Sequence, residues 1–208
     1  MGRTVLKLIM LSICLVSCSN SNSANSEKNS KQITFCGVPL SGNIENFTKS
    51  LAAEGVKVNN TITSQLQDGA RAYDVKNFEY PCLARVEYNT VTRNVYEATL
   101  MFNHISKLSD FDAFKDRFMQ KIKEKYSKGI FTVKSELDDY KGASMFFNYY
   151  AVRYIIHNNQ TNDYVGEIYM YWDAKDENLA TQTGTFMLQI MYRNNEAPSF
   201  EEQSERYY

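Results

Sequence analysis

The sequence predicts an α+β fold, with two amphipathic helices each followed by an antiparallel meander of about four strands. Three observations predict it. An apolar face at helical spacing occurs twice, at Ile44, Phe47 and Leu51 and again at Phe111, Phe114, Phe118, Ile122 and Tyr126. Each helical stretch ends at a glycine that leads into a strand, Gly55 before Val56 and Gly129 before Ile130. Alternating runs rich in Tyr, Phe, Val and Ile then follow with short connections, which favour antiparallel pairing. The helix starts, Asn43 and Ser109, lie 66 positions apart, so the layout reads as a tandem repeat of one helix-plus-sheet unit. A single larger sheet with both helices on one side is the variant of this reading.

The elements follow in chain order. Residues 33–36 form a short strand, and Gly37, Pro39 and Gly42 mark the turn after it. Asn43 or Ser41 caps the first helix, and Gly55 takes the left-handed position at its end. Strands are predicted at residues 56–62, 70–78, 82–88 and 95–102. In the last, Tyr96, Ala98, Leu100 and Phe102 alternate with Val95, Glu97, Thr99 and Met101. Residues 109–112, Ser-Asp-Phe-Asp, cap the second helix, whose polar face carries Lys115, Asp116, Lys121, Lys123, Glu124 and Lys125. Further strands start at residue 130 and span 144–157, 164–172 and 185–193. The domain therefore covers 33–193, in halves of about 33–104 and 105–193. Residues 194–208 read as a polar, acidic tail.

The residues before the domain are a leader and a tether. Arg3 and Lys7 precede Leu8 to Val16, nine uncharged residues that rise only about 14 Å as a helix. That is too short for a bilayer core of about 30 Å and fits a secretory signal peptide. Residues 19–32 hold one apolar side chain, Ala24, and read as a flexible linker with a reach of roughly 20 Å. The whole chain has 208 residues, 23 Lys+Arg and 24 Asp+Glu, so no basic excess marks a nucleic-acid surface.

Leu15-Val16-Ser17-Cys18 resembles the bacterial lipobox. The resemblance implies cleavage after residue 17 and a diacylglycerol on the thiol of Cys18, the lipid attachment site. Acyl chains at about 0.8 kcal/mol per buried CH₂ would anchor the domain to a bilayer. The signal peptide is then 1–17, and 18–32 is the lipidated cysteine and tether. The stretch Phe35-Cys36-Gly37-Val38-Pro39-Leu40-Ser41-Gly42, with Phe47, Leu51 and Gly55, resembles the opening of uncharacterised outer-membrane lipoproteins of gut Bacteroidota bacteria. The helix-then-meander layout also looks like the tandem modules of β-lactamase-inhibitor-like domains, folds that usually bind proteins. Surface-exported lipoproteins of those bacteria often carry acidic residues after the lipidated cysteine. Residues 19–26 carry none, which points to the periplasmic face of the outer membrane.

In that oxidising compartment Cys36 and Cys82 are the remaining pair, and a Cys36–Cys82 disulfide is expected, with two buried thiols as the alternative. Little else carries chemistry. No Gly-x-Ser-x-Gly or His-Glu-x-x-His occurs. His104 and His157 stand at strand ends and read as turn or edge residues. Glu136, Asp138 and Asp139 read as a solvated turn, and neither a metal nor a cofactor is expected. The unusual quantity is 15 Tyr, 12 Phe and one Trp. In the second half Tyr149, Arg153, Tyr169 and Tyr171 share the strand faces opposite the expected core. Tyr with Arg is a common interface composition. These four are the candidate binding surface, either for a protein partner or, by stacking, for a small ligand or glycan. Tyr is also simply a good strand former. The reading is a lipid-anchored, non-enzymatic envelope module.

Overall fold

The computed structural model describes residues 32–128, 131–138, 143–144, 147–173 and 186–199. The chain runs β1 (Thr34–Phe35), β2 (Val38–Pro39), α1 (Ile44–Ala53), β3 (Lys57–Val58), α2 (Asn60–Thr63), β4 (Ala70–Val75), β5 (Cys82–Tyr88) and β6 (Val95–Ile105). It continues with α3 (Leu108–Tyr126), β7 (Phe131–Asp138), β8 (Ala143–Ser144), β9 (Phe147–Asn158), β10 (Tyr164–Asp173) and β11 (Phe186–Asn194).

The α+β expectation of two helix-plus-sheet units is corrected. The fold is mostly β. Strands β3-β4-β5-β6-β11-β10-β9-β7 form one antiparallel sheet, with β8 paired on β9, and β1 and β2 form a separate small sheet. The seam is β6 against β11, from Phe186↔Ile105 to Arg193↔Glu97. The physical reason is the open edge each four-stranded run would present. Its unpaired N–H and C=O groups are satisfied by the other run, so the two become one sheet with one core.

The register aligns that core in rows. Tyr73, Ala84, Leu100, Ile190, Met170 and Val152 lie side by side across six strands. All except Ala84 bring a large apolar body, and α1 and α3 pack into the same cluster through Ile44, Phe47, Leu51, Phe111, Phe114, Phe118 and Ile122. Burying side chains of this size stabilises by about 1.5–3 kcal/mol each. Phe102 meets the rings of Phe114 at 5.0 Å and Phe118 at 6.2 Å, edge to face, which fixes α3 over β6. The hydroxyl of Tyr126 accepts from the Thr34 N–H at 3.2 Å and ties β1 to the end of α3.

Local chemistry sets the remaining differences. Asn43 caps α1, its Oδ1 accepting from Glu45 N–H at 2.9 Å. The strand expected over 56–62 is cut to two residues, because Asn59 Oδ1 accepts from Ile62 N–H and starts α2. The cap of α3 falls two residues earlier than expected, at Lys107 in place of Ser109, with no side-chain cap bond. The expected disulfide is absent. Cys36 and Cys82 are free thiols. Cys36 lies in the tight β1–β2 turn at φ +47°, and Cys82 faces the core from the start of β5. Cys82 packs within the core and Cys36 against its edge, neither joined to the other. Burial pushes Cys36 up to about 12 and raises Cys82 as well, so both stay protonated at neutral pH.

Candidate binding surface

The helices cover one face of the sheet, and the candidate residues lie on the other. In β10 the side chains of Ile168 and Met170 enter the core, so Glu167, Tyr169 and Tyr171 point the opposite way. Tyr169 pairs with Arg153 of β9 and with Met191 of β11, and Glu167 pairs with Arg193. Arg193 in turn pairs with Glu97, and Glu97 with Glu87.

A chain of charges crosses this face. Glu97 Oε2 lies 3.3 Å from Arg193 Nε. Arg193 donates to Glu167 Oε1 at 2.8 Å, and Arg153 donates to Glu167 Oε2 through Nε at 2.9 Å and a terminal nitrogen at 2.6 Å. Arg85 pairs with Glu87 at 2.8 Å, and the Tyr96 hydroxyl donates to Glu87 at 3.0 Å. Glu97, Glu167 and Arg193 are buried. Charges so far from water persist only when paired and hydrogen-bonded, which this alternation of signs achieves.

The aromatics are layered on that chain. The Arg153 guanidinium lies 5.5 Å from the Tyr169 ring centre, and the Tyr169 and Tyr171 rings stack at 5.7 Å, 8° from parallel. Burial, with the Glu167 charge adding, raises the Tyr169 hydroxyl and holds Tyr164 up to about 12. Both hydroxyls are therefore neutral donors, not bases.

The structure thus brings Arg153, Tyr169 and Tyr171 together. It corrects the expectation of exposed tyrosines, since Tyr169 is 5 % exposed under Arg153 and against Tyr171. Tyr149 pairs with Asp173 on the same two strands, and its side chain falls outside the described residues, as do Cys18 and the leader. Sequence reading missed Arg193, Glu97 and Arg85 as members of this surface. The available signal was a charge at an alternating strand position, but the partners come from distant strands.

Other candidates are placed plainly. His157 Nδ1 lies 3.3 Å from the Asn162 carbonyl in the β9–β10 turn, and its ring meets Tyr164. Asp112 pairs with Lys115 at 2.9 Å. Among the described residues no group of His, Cys, Asp and Glu is arranged to hold a metal, and no helix is long and apolar enough to cross a membrane. A shallow groove runs along α3, lined by Asp116, Met119, Lys123, Glu124 and Ser127 among others. Comparison with known protein families, with curated proteins and with solved structures finds no match for the chain.

Proposed function

We propose that this chain is a lipid-anchored cell-envelope protein that docks a protein partner on the outer face of its sheet, without catalysis or cofactor. The observation that carries the reading is the Arg153 guanidinium, held by Glu167 over the stacked Tyr169–Tyr171 pair. A planar cation and an aromatic ring fixed before binding lose little side-chain entropy on association, which favours them at interfaces. Arg153 is about one-third exposed, so its outer edge still meets solvent. Of the two candidate tyrosines whose side chains are described, Tyr169 is buried and leaves Tyr171 for a sugar to stack on, and the protein partner is the better fit. The leader supports the location. Cys18 after Leu15-Val16-Ser17 would carry the lipid, and residues 19–32 would hold the domain close to the outer membrane on its periplasmic face.

The test has two parts. Intact mass of the chain from membranes, compared with Cys18→Ala, should show an acylated product starting at residue 18. Affinity capture from the same membranes should then yield partners that Arg153→Ala and Tyr171→Ala lose. An unlipidated mass removes the anchor. A capture profile that neither substitution changes removes the docking face.

A further inference from the structure

The two edges of the large sheet differ. One is β3, two residues long, and the other is β7, eight residues long. Natural sheets blunt a long edge with proline, with a bulge or with charge. The sequence of β7, Phe-Thr-Val-Lys-Ser-Glu-Leu-Asp, holds neither proline nor glycine. Its register on β9 runs unbroken from Phe131↔Asn158 to Asp138↔Ala151, whereas the pairings of β10 on β9, β11 on β6 and β5 on β6 all shift. Alternate residues of an antiparallel strand turn N–H and C=O to opposite sides, so four of these eight residues present theirs beyond the sheet. The device that β7 does carry is charge, at Lys134, Glu136 and Asp138.

We propose that a second copy of this chain joins along β7, antiparallel about Ser135, so that two sheets become one. The strand is complementary to itself in that register. A two-fold axis at Ser135 sets Lys134 opposite Glu136 of the second copy, and by symmetry Glu136 opposite its Lys134. Val133, which packs against the core, stands opposite Leu137 of the second copy, and Thr132 opposite its Asp138. That register pairs seven residues of the strand and opposes no like charges. An axis at Lys134 or at Glu136 would set that residue opposite itself, and one at Leu137 would set Glu136 opposite Asp138. An axis at Val133 would pair only five residues of the strand. A register one residue out of step would set the helix-bearing face of one copy level with the outer face of the other. The backbone ladder thus supplies the affinity, and the charges choose the register and the partner. The proposal rests on the edge of the sheet and not on its outer face, so it stands apart from the docking reading.

Charge reversal tests both the edge and the register. The full chain, purified in mild detergent, is followed by sedimentation velocity at rising concentration, and the native chain should dimerise. Lys134→Glu sets acid opposite acid at two places, and Glu136→Lys sets lysine opposite lysine at the same two. Each should weaken the dimer at least about tenfold. In an equal mixture of the two variants every opposed pair is again lysine with glutamate, so the mixture should dimerise as the native chain does. The chain carrying both substitutions should do the same, which separates a lost contact from a lost fold. A native chain that stays monomeric up to about 1 mM overturns the proposal. So does a dimer that neither single substitution weakens, or one that neither the mixture nor the double variant restores.

Discussion

Asn194 donates its side-chain amide to the carbonyl of Leu40, 2.8 Å away and 154 positions earlier in the chain. The second amide hydrogen goes to the Val95 carbonyl at 3.0 Å. One buried side chain thus joins the segment after β2, the start of β6 and the end of β11. Asn194→Ala strands two acceptors that water cannot reach, at about 1–3 kcal/mol for each. Urea unfolding should show a loss of about 2–6 kcal/mol with an unchanged denaturant slope.

Gly166 follows a bulge in β10, at a position where no side chain fits. At φ +150°, a Cβ would fall 2.2 Å from the Arg193 carbonyl oxygen and 2.6 Å from Ile33 Cδ1. The first contact is with backbone of the neighbouring strand and cannot relax by a rotamer change. Gly166→Ala should cost at least about 3 kcal/mol and lower the melting temperature more than any surface substitution. A variant that melts with the native chain would contradict this register.

Two ion pairs of equal length separate burial from proximity. Arg153–Glu167 and Arg117–Glu79 both stand at 2.6 Å, but the Glu167 side chain is 4 % exposed and that of Glu79 is 38 % exposed. Glu167→Gln leaves the buried Arg193 facing a neutral group away from water and takes the carboxylate from Arg153, at about 3–5 kcal/mol. Glu79→Gln should change stability by less than about 1 kcal/mol. Chemical denaturation of both variants checks the contrast.

The acid limb of stability has a local contributor. Hydrogen bonds from Arg71 to Glu45, with Arg93 adding, hold that carboxyl below its usual value of 4.5. The folded state therefore releases this proton more readily than the unfolded state. The resulting stability is present above about pH 4.5 and is lost as pH falls through the lower folded value. Glu45 is half-exposed, so the effect is below about 1 kcal/mol. Glu45→Gln should flatten the stability profile below pH 4.5 by that small amount and leave its shape above neutral pH unchanged.

The thiols give a direct count. Burial keeps Cys36 and Cys82 protonated, so a chain starting at Ser19 should react with Ellman's reagent at neither site while folded. Denaturant without reductant should then release two thiols. Release of none would mean that the protein carries the Cys36–Cys82 bond expected from the sequence.

Much of the local structure was legible. The step of Ile44, Phe47 and Leu51 marks a face that is buried, and Asn43 caps it as its side chain predicts. In β10 the alternation already places Glu167, Tyr169 and Tyr171 opposite Ile168 and Met170. Each of these signals lies within a few residues. The failures have a local origin too. Val58 to Ile62 carries strand-like residues, but the Asn59 side chain offers the backbone a helical start that pattern alone does not weigh. Tyr169 reads as exposed from its face of the strand, but the Arg153 guanidinium lies over its ring, Tyr171 stacks beside it, and it is buried.

What the sequence alone determined is whatever depends on neighbours along the chain. The helical and alternating periods, the caps and turns, and the identity of Cys18 within Leu-Val-Ser-Cys belong there. What only the tertiary structure decided is the partnership of distant strands. Joining β6 to β11 turns two runs into one sheet and sets Glu97, Arg193 and Glu167 in one line. No local preference encodes that line. It arises because every sheet edge seeks a partner for its backbone groups, and the register that buries the apolar rows also fixes which charges meet on the opposite face.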